Sequence, residues 1–360
     1  MLEIKCIGSP REIGLIHGTT ARDQITGSIA FYSRLFMTSC SLSWPEVAQE
    51  AAKYVQPLED IAPRYLEEIR GIAEGSRFSF LDILALNIRT EIMFGLFSDV
   101  PAAAVGDVAG APSDGCTSVG WLAPSGSSFL GQNWDWMPEQ GPNLIICHVS
   151  QPGTGIPDFS MVTEAGITGK IGLNAEGVGC CLNAIKCRGV DTAKLPIHFA
   201  LRKVLESSSR AAAVEAIKRV GVAGSGHILI GDGSGSTGLE CTSKWVKEVP
   251  MDDMKRVCHT NHLILDASDA DERPWLEDSP ARLARVRELT ARIADPTFNA
   301  MADVFRDTDG YPSSINRRRE GKSENETLFT IVMDLTRKYA RVTFGRPTGI
   351  REQAMISFEN

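Results

Sequence analysis

Asp114-Gly115-Cys116-Thr117-Ser118-Val119-Gly120-Trp121-Leu122 stands where an Ala/Gly/Pro-rich run, residues 100–113, gives way to a strand-like alternation. A thiol directly after a glycine at such a border can cut its own chain. Its sulfur attacks the Gly115 carbonyl, and hydrolysis of the resulting thioester leaves Cys116 as a new N-terminus. An N-terminal cysteine carries nucleophile and base together, because its α-amine (reference pKa about 7.7–8.0) can take the proton of its thiol (about 8.5). Glycine before the scissile bond suits the precursor, since without a Cβ it tolerates a strained backbone. The plainer reading of Gly115-Cys116 alone is a buried cysteine opening a strand after a glycine turn.

Downstream, Ser128-Phe-Leu-Gly-Gln-Asn-Trp-Asp135 follows a Pro124-Ser-Gly126 turn, which predicts an antiparallel hairpin with residues 116–122. That hairpin brings Asp135 close to Cys116, where it can orient or hold the amine, the third member that triad logic asks for.

Around these residues the chain resembles the acyl-coenzyme A:6-aminopenicillanic acid acyltransferase family (isopenicillin N acyltransferases), a peptidase C45-like branch of the N-terminal nucleophile (Ntn) hydrolases. The likeness is carried by ordered matches: Gly8-x3-Glu12-x-Gly14-x2-His17-Gly18, Tyr65-Leu-Glu-Glu-Ile-Arg-Gly-Ile-Ala73, Asn87-x-Arg89-x-Glu91, the Asp-Gly-Cys-Thr box, Gly131-Gln-Asn-Trp-Asp135, Thr163-Glu-Ala-Gly166, His259-Thr-Asn-His262, Tyr311-Pro312 and Glu320-Gly-Lys-Ser323. It implies Cys116 as nucleophile, Asp135 beside it, Asn261 holding the oxyanion, Asn183 second in the oxyanion region and Arg317 near the nucleophile. Thr163, Glu164, Ala165 and Gly166 are then expected against the substrate. Arg317-Arg-Arg319 also reads as a charged surface run, and Asn183 as a strand-end turn.

The resemblance implies an α+β, four-layer αββα Ntn hydrolase sandwich with an N-terminal helical segment. Residues 1–115 would be the small segment and 116–360 the large one, held as a heterodimer of fragments in one domain. The implied substrates are small-molecule amides or acyl thioesters, acyl-coenzyme A among them, with no cofactor. The chain ends Ile356-Ser-Phe-Glu-Asn360 and not in the peroxisomal tripeptide of the penicillin-making members.

Composition agrees with a small-molecule enzyme. The 360 residues are 43% hydrophobic and 23% charged, with a net charge of −8 and no basic face for nucleic acid. No signal-peptide pattern and no run near the roughly 18 apolar residues of a membrane span is apparent, so a cytoplasmic protein is expected. Nine cysteines, an odd number, do not read as a secreted disulfide framework, and His259 with His262 lacks the partners of a zinc site.

The pattern is helical over residues 21–97, where Ser43-Trp-Pro-Glu46 and Ser79-Phe-Leu-Asp82 read as capping boxes. Short strands follow over 116–185, then helices over 195–206 and 210–220, the second stopped by Gly221. Helices recur over 279–293 and 297–305, and a hairpin of 328–334 with 340–344 closes the chain. Gly233-x-Gly235-x2-Gly238 matches a dinucleotide fingerprint, but the residues after it read as a strand, leaving no helix N-terminus for a pyrophosphate. Two alternatives stay open: a papain-like thiol hydrolase pairing Cys116 with His259 or His262, and a non-catalytic binding protein on an Ntn scaffold.

Overall fold

A computed structural model describes residues 1–96, 115–273, 275–321 and 323–358. The connector 100–113 and Asp114 lie outside the described residues.

The first segment holds β1 (Leu2–Ile7), α1 (Pro10–Thr20), α2 (Arg22–Cys40), α3 (Trp44–Ala52), α4 (Val55–Ile61), α5 (Pro63–Ser76), α6 (Phe80–Asn87) and α7 (Arg89–Gly95). Both expected capping boxes form. Ser43 N donates to Glu46 Oε2 at 2.8 Å, and Ser79 N to Asp82 Oδ2 at 2.9 Å. Two of the recurring glycine motifs have a packing cause. A Cβ on Gly14 or Gly18 would fall 2.0 or 2.2 Å from the carbonyl oxygens of Glu68 and Ile72, and one on Gly71 or Gly75 would strike α1 in return, so α1 and α5 touch backbone to backbone.

The second segment supplies β2 (Gly115–Leu122), β3 (Ser128–Trp136), β4 (Leu144–Ser150), β5 (Phe159–Glu164), β6 (Ile171–Asn174), β7 (Gly179–Ala184), α8 (Ile197–Leu205), α9 (Arg210–Val220), β8 (Gly226–Asp232), β9 (Gly235–Cys241), β10 (Val246–Val249) and β11 (Arg256–His259). It ends with α10 (Ser279–Ala291), α11 (Phe298–Val304), β12 (Glu326–Asp334), β13 (Tyr339–Arg346) and β14 (Gly349–Ser357). Gly221, at φ +75°, stops α9 where the sequence places the break. The glycine-rich run turns from β8 into β9, a strand and not a helix.

Among the described residues the strands form two sheets, in the orders β1-β4-β5-β6-β7-β8-β9-β10 and β11-β2-β3-β12-β13-β14. They face each other across one core, in which Cys116, Leu130 and Trp134 meet Cys180, Leu182, Ile228 and Leu239. Helices α8 and α9 pack on the first sheet. Leu283 and Val286 of α10 with Met301 and Val304 of α11 cover the outer face of the second, against Val119, Trp121 and Val332. The layers therefore run helix, sheet, sheet, helix, an α+β sandwich of the αββα kind. The short β6 pairs with β7 only through Gly172 and Leu173. Beyond it, the Gln132 amide from the facing sheet accepts from Leu182 N at 3.0 Å and donates to Leu182 O, so no backbone group is left wanting there.

The N-terminal segment is mostly helical and opens with β1, which pairs in parallel with β4 and becomes the edge of the larger sheet. The last hairpin gains a third strand, β14, alongside β13. No helix among the described residues is long and apolar enough to cross a membrane.

Candidate active site

The predicted hairpin forms, with Gly115 opposite Asp135 and Cys116 opposite Trp134. Alternation along each strand then sorts the motif Gly131-Gln-Asn-Trp-Asp135 into two faces. Gln132 and Trp134 point between the sheets with Cys116. The others face the helices: a Cβ on Gly131 would fall 2.6 Å from the Phe305 ring, and Asn133 Nδ2 donates to Phe305 O and Ile315 O at 2.9 and 2.8 Å. Asn133 thus ties down the run that leads to Arg317.

Cys116 N donates to Asn261 Oδ1 at 2.8 Å. Asn261 follows β11, which pairs with β2, and its own amide is fixed: Nδ2 donates to Ala184 O at 3.0 Å and its backbone N to Ser279 Oγ at 2.8 Å. From α10, Arg282 donates to Cys116 O at 2.8 Å, to Thr117 Oγ1 at 3.1 Å and to Asn261 Oδ1 at 2.9 Å. Its Nε donates to Asp278 Oδ2 at 2.5 Å, and Arg317 Nη2 donates to that same oxygen. Arg317 Nε stands 3.5 Å from Asp135 Oδ2, while Thr327 Oγ1 donates to Asp135 Oδ1 at 2.6 Å and accepts from Arg317 N at 3.1 Å.

The Arg317 guanidinium lies against Gly115: a Cβ at that position would fall 2.7 Å from Nε and 3.0 Å from Cζ. Two guanidiniums and two carboxylates therefore alternate around the Gly115-Cys116 unit, with Arg317 only 1% exposed and Asp135 fully buried. Burial alone would raise the Asp278 carboxyl, but Arg282 and Arg317 outweigh it and hold Asp278 below its ordinary range.

Gly115, Cys116, Asp135, Asn261 and Arg317 thus lie together. Arg317 is not part of a surface run; its neighbours Arg318 and Arg319 are exposed while it turns inward. Asn183, on β7, lies across from Ser118 of β2, accepting from its Oγ at 2.6 Å, bonded to His227 Nδ1 at 3.0 Å and donating to His259 O at 3.5 Å. The run Thr163–Gly166 has structural partners. Glu164 is buried among Arg89, Lys170, Tyr32 and Gln140, and Gly166 N donates to His17 Nε2 at 3.0 Å. Burial would raise Glu164, yet Arg89 and Lys170 pull it well below the usual carboxylate range.

Sequence reasoning missed Arg282, Asp278 and Thr327. The one signal was Asp278-x3-Arg282 at the start of a predicted helix, a spacing shared by many solvated helix pairs. It also did not foresee a buried polar pair: the His227 and His259 rings stack with centroids 3.6 Å apart. His259 Nε2 meets Glu240 Oε1 at 2.8 Å and its Nδ1 meets Thr260 O at 2.9 Å. The other candidate imidazole, His262, meets Ser279 Oγ through Nδ1 at 2.8 Å, and Cys116 opens a strand and not a helix, unlike the papain-like arrangement. The cavity lined by Trp121, Pro124, Met254 and Ile293, and another lined by Arg306, Thr330 and Arg341, do not include Cys116.

Cys116 thus heads a central strand of an αββα sandwich, bonded by the Asn261 amide and the Arg282 guanidinium, with Arg317 against the glycine before it. The family model for acyl-coenzyme A:6-aminopenicillanic acid acyl-transferase matches residues 121–349. The acyl-coenzyme A:6-aminopenicillanic-acid-acyltransferase 40 kDa form of Emericella nidulans is 37% identical over 363 residues, spanning 100% of this chain and 97% of that protein. The chain belongs to this family. Among solved structures, penicillin V acylase from Agrobacterium tumefaciens is 12% identical with a TM-score of 0.44, over 67% of this chain and 86% of that one. A variant of conjugated bile acid hydrolase from Clostridium perfringens is 16% identical with a TM-score of 0.47, over 68% and 94%.

Proposed function

We propose that the chain cuts itself between Gly115 and Cys116, and that the exposed cysteine passes the acyl group of an amide or thioester to an amine or to water. The observation that carries this reading is the 2.8 Å bond from Cys116 N to Asn261 Oδ1, made beside a glycine that the Arg317 guanidinium covers. In self-cleavage the Cys116 sulfur bonds to the Gly115 carbonyl carbon as the carbon–nitrogen bond breaks, and the thiol proton goes to the departing nitrogen. Water then hydrolyses the thioester, yielding a Gly115 carboxylate, the free thiol and the free amine. Asn261 holds the departing nitrogen, and Arg317 offers positive charge where the tetrahedral oxygen and the new carboxylate form.

In turnover the amine takes the thiol proton, sulfur attacks the substrate carbonyl, and the amine returns the proton to the leaving group. One N–H of Asn261 Nδ2 donates to Ala184 O, and the other is assigned to the oxyanion. Asn183 supports this from behind, fixing Ser118 and the end of β11 on either side of it. Asp135 keeps Arg317 in place. Trp134, the strand partner of Cys116, carries Lys170 Nζ 4.0 Å over its ring, and Glu164 binds that lysine, which links the run Thr163–Gly166 to the strand beside Cys116.

The relative from Emericella nidulans is named for coenzyme A thioesters and 6-aminopenicillanic acid. For this chain we propose the same classes, an acyl-coenzyme A thioester as donor and a small amine or amide as partner. Residues 1–115 and 116–360 would stay together as a heterodimer, because β1 is an edge strand of the larger sheet and the core draws on both segments. All nine cysteines, each among the described residues, stand as thiols outside any disulfide, which fits a reducing cytoplasm.

Intact mass and N-terminal sequencing of the purified protein test the reading, followed by trapping of an acyl adduct on the 116–360 fragment with acyl-coenzyme A thioesters. A fragment that begins with Cys116 and gains the acyl mass is expected. An active protein with no such fragment overturns it.

A further inference from the structure

We propose that Arg282, anchored by Asp278, is the positioning residue that fixes the orientation of Asn261 and the charge state of Cys116; this rests on the reading of Cys116 as the nucleophile. Arg282 spends its guanidinium on three neighbours of the reaction at once. Nη1 donates to Cys116 O and Thr117 Oγ1, Nη2 to Asn261 Oδ1, and Nε to Asp278 Oδ2, at 2.8, 3.1, 2.9 and 2.5 Å. That planar fork is a geometry lysine cannot reproduce.

The first consequence is orientational. Asn261 Oδ1 accepts from both Cys116 N and Arg282 Nη2, while Nδ2 donates to Ala184 O. Turning the amide over would set its N–H groups against two donors and its oxygen against a carbonyl. Since arginine has donors only, Arg282 makes the turned amide untenable. The nitrogen of Cys116 therefore meets an acceptor, so its N–H is taken and its lone pair is left for the thiol proton.

The second consequence is electrostatic. A cation bonded to the residue that carries both amine and thiol disfavours the ammonium and favours the thiolate. Other charges face Cys116 from the neighbouring elements: Asp135 on β3, Arg317 ahead of β12, and Lys170 over Trp134, itself paired with Glu164. His259 with Glu240 lies behind Asn183. Asp135 is met by Arg317, Glu164 by Arg89 and Lys170, and Asp278 by Arg282 and by Arg317 again. Arg282 bonds both Cys116 and its amide partner.

The test compares wild type, Arg282→Gln and Arg282→Lys by the pH dependence of self-cleavage on gels and of acyl transfer from acetyl- to octanoyl-coenzyme A onto 6-aminopenicillanic acid. Circular dichroism and unfolding midpoints establish that each variant is folded. Removing the charge is expected to move the low-pH limb of both profiles up by about 1 pH unit. Arg282→Lys is expected to leave the limb in place and lower kcat with little change in KM. A folded Arg282→Gln with the wild-type limb, or an Arg282→Lys shifted as far as Arg282→Gln, overturns the proposal while leaving Cys116 as nucleophile intact. If Arg282→Gln does not fold, a limb displaced in Arg282→Lys overturns it and an unmoved limb with reduced kcat supports it. A wild-type chain that stays whole counts against the nucleophile reading and this proposal together.

Discussion

Gly115 lies directly against the guanidinium of Arg317, so close that the smallest side chain would fall 2.7 Å from its Nε. Arg317 cannot yield easily, because Asp278, Ser323 and Asp135 hold it on separate sides. A glycine before the proposed cleavage point is thus required by packing, beyond any need for unusual backbone angles. Gly115→Ala should displace either the arginine or the start of β2 and slow self-cleavage at least tenfold. A time course of the 116–360 fragment after expression checks this, and cleavage at the wild-type rate would show that Arg317 has no bearing on the bond.

Asn261 is expected to act on rate more than on binding. Asn261→Ala removes the acceptor of the Cys116 nitrogen together with the proposed oxyanion donor, and should lower kcat by about a hundredfold or more. Steady-state kinetics on processed enzyme separate the cases: a change confined to KM would assign Asn261 to substrate binding.

Asp278 joins Arg282 to Arg317 through one carboxylate oxygen. Asp278→Asn leaves two buried guanidiniums short of an anion and should cost about 2–3 kcal/mol of stability. The sign with pH follows from the lowered pKa, which burial opposes and the two arginines impose. Stabilisation by this carboxylate is present above the unfolded value of about 3.9 and is lost as pH falls through the folded one. Unfolding midpoints should therefore separate wild type from Asp278→Asn at pH 7 and converge in strong acid; a constant gap down to pH 2 would contradict the ionised assignment.

Much of this site was legible in the chain, and what was not has a common cause. The hairpin, and with it the pairing of Gly115 with Asp135, followed from alternation and a Pro/Gly turn, both local signals. Gly221 and the Ser43 and Ser79 boxes are local too. By contrast β1, though six residues long, owes its existence to parallel pairing with β4 far along the chain. The inward turn of Arg317 depends on carboxylates at Asp135 and Asp278, and that of Arg282 on Cys116 and Asn261. Burial of an arginine is decided by partners from distant segments, so Arg317-Arg-Arg319 offers nothing that distinguishes its first member.

Glu91, from the motif Asn87-x-Arg89-x-Glu91, gives a pH dependence of opposite sign. Its Oε1 accepts from Ile197 N at 2.7 Å, at the start of α8, and the residue is fully buried. Burial raises its pKa to about 7, more than its backbone bonds and Arg89 lower it. The unfolded chain gives up this proton near the ordinary value of about 4.3, so stability falls as pH rises from there to about 7 and is level beyond. The loss between pH 5 and pH 8 from this group should reach up to about 3 kcal/mol. Glu91→Gln keeps an acceptor for Ile197 and cannot ionise, so it should be more stable than wild type at pH 8 and near equal at pH 5. Denaturant titrations at the two pH values check this, and a variant less stable than wild type at pH 8 would mean that burial does not raise Glu91 above its unfolded value.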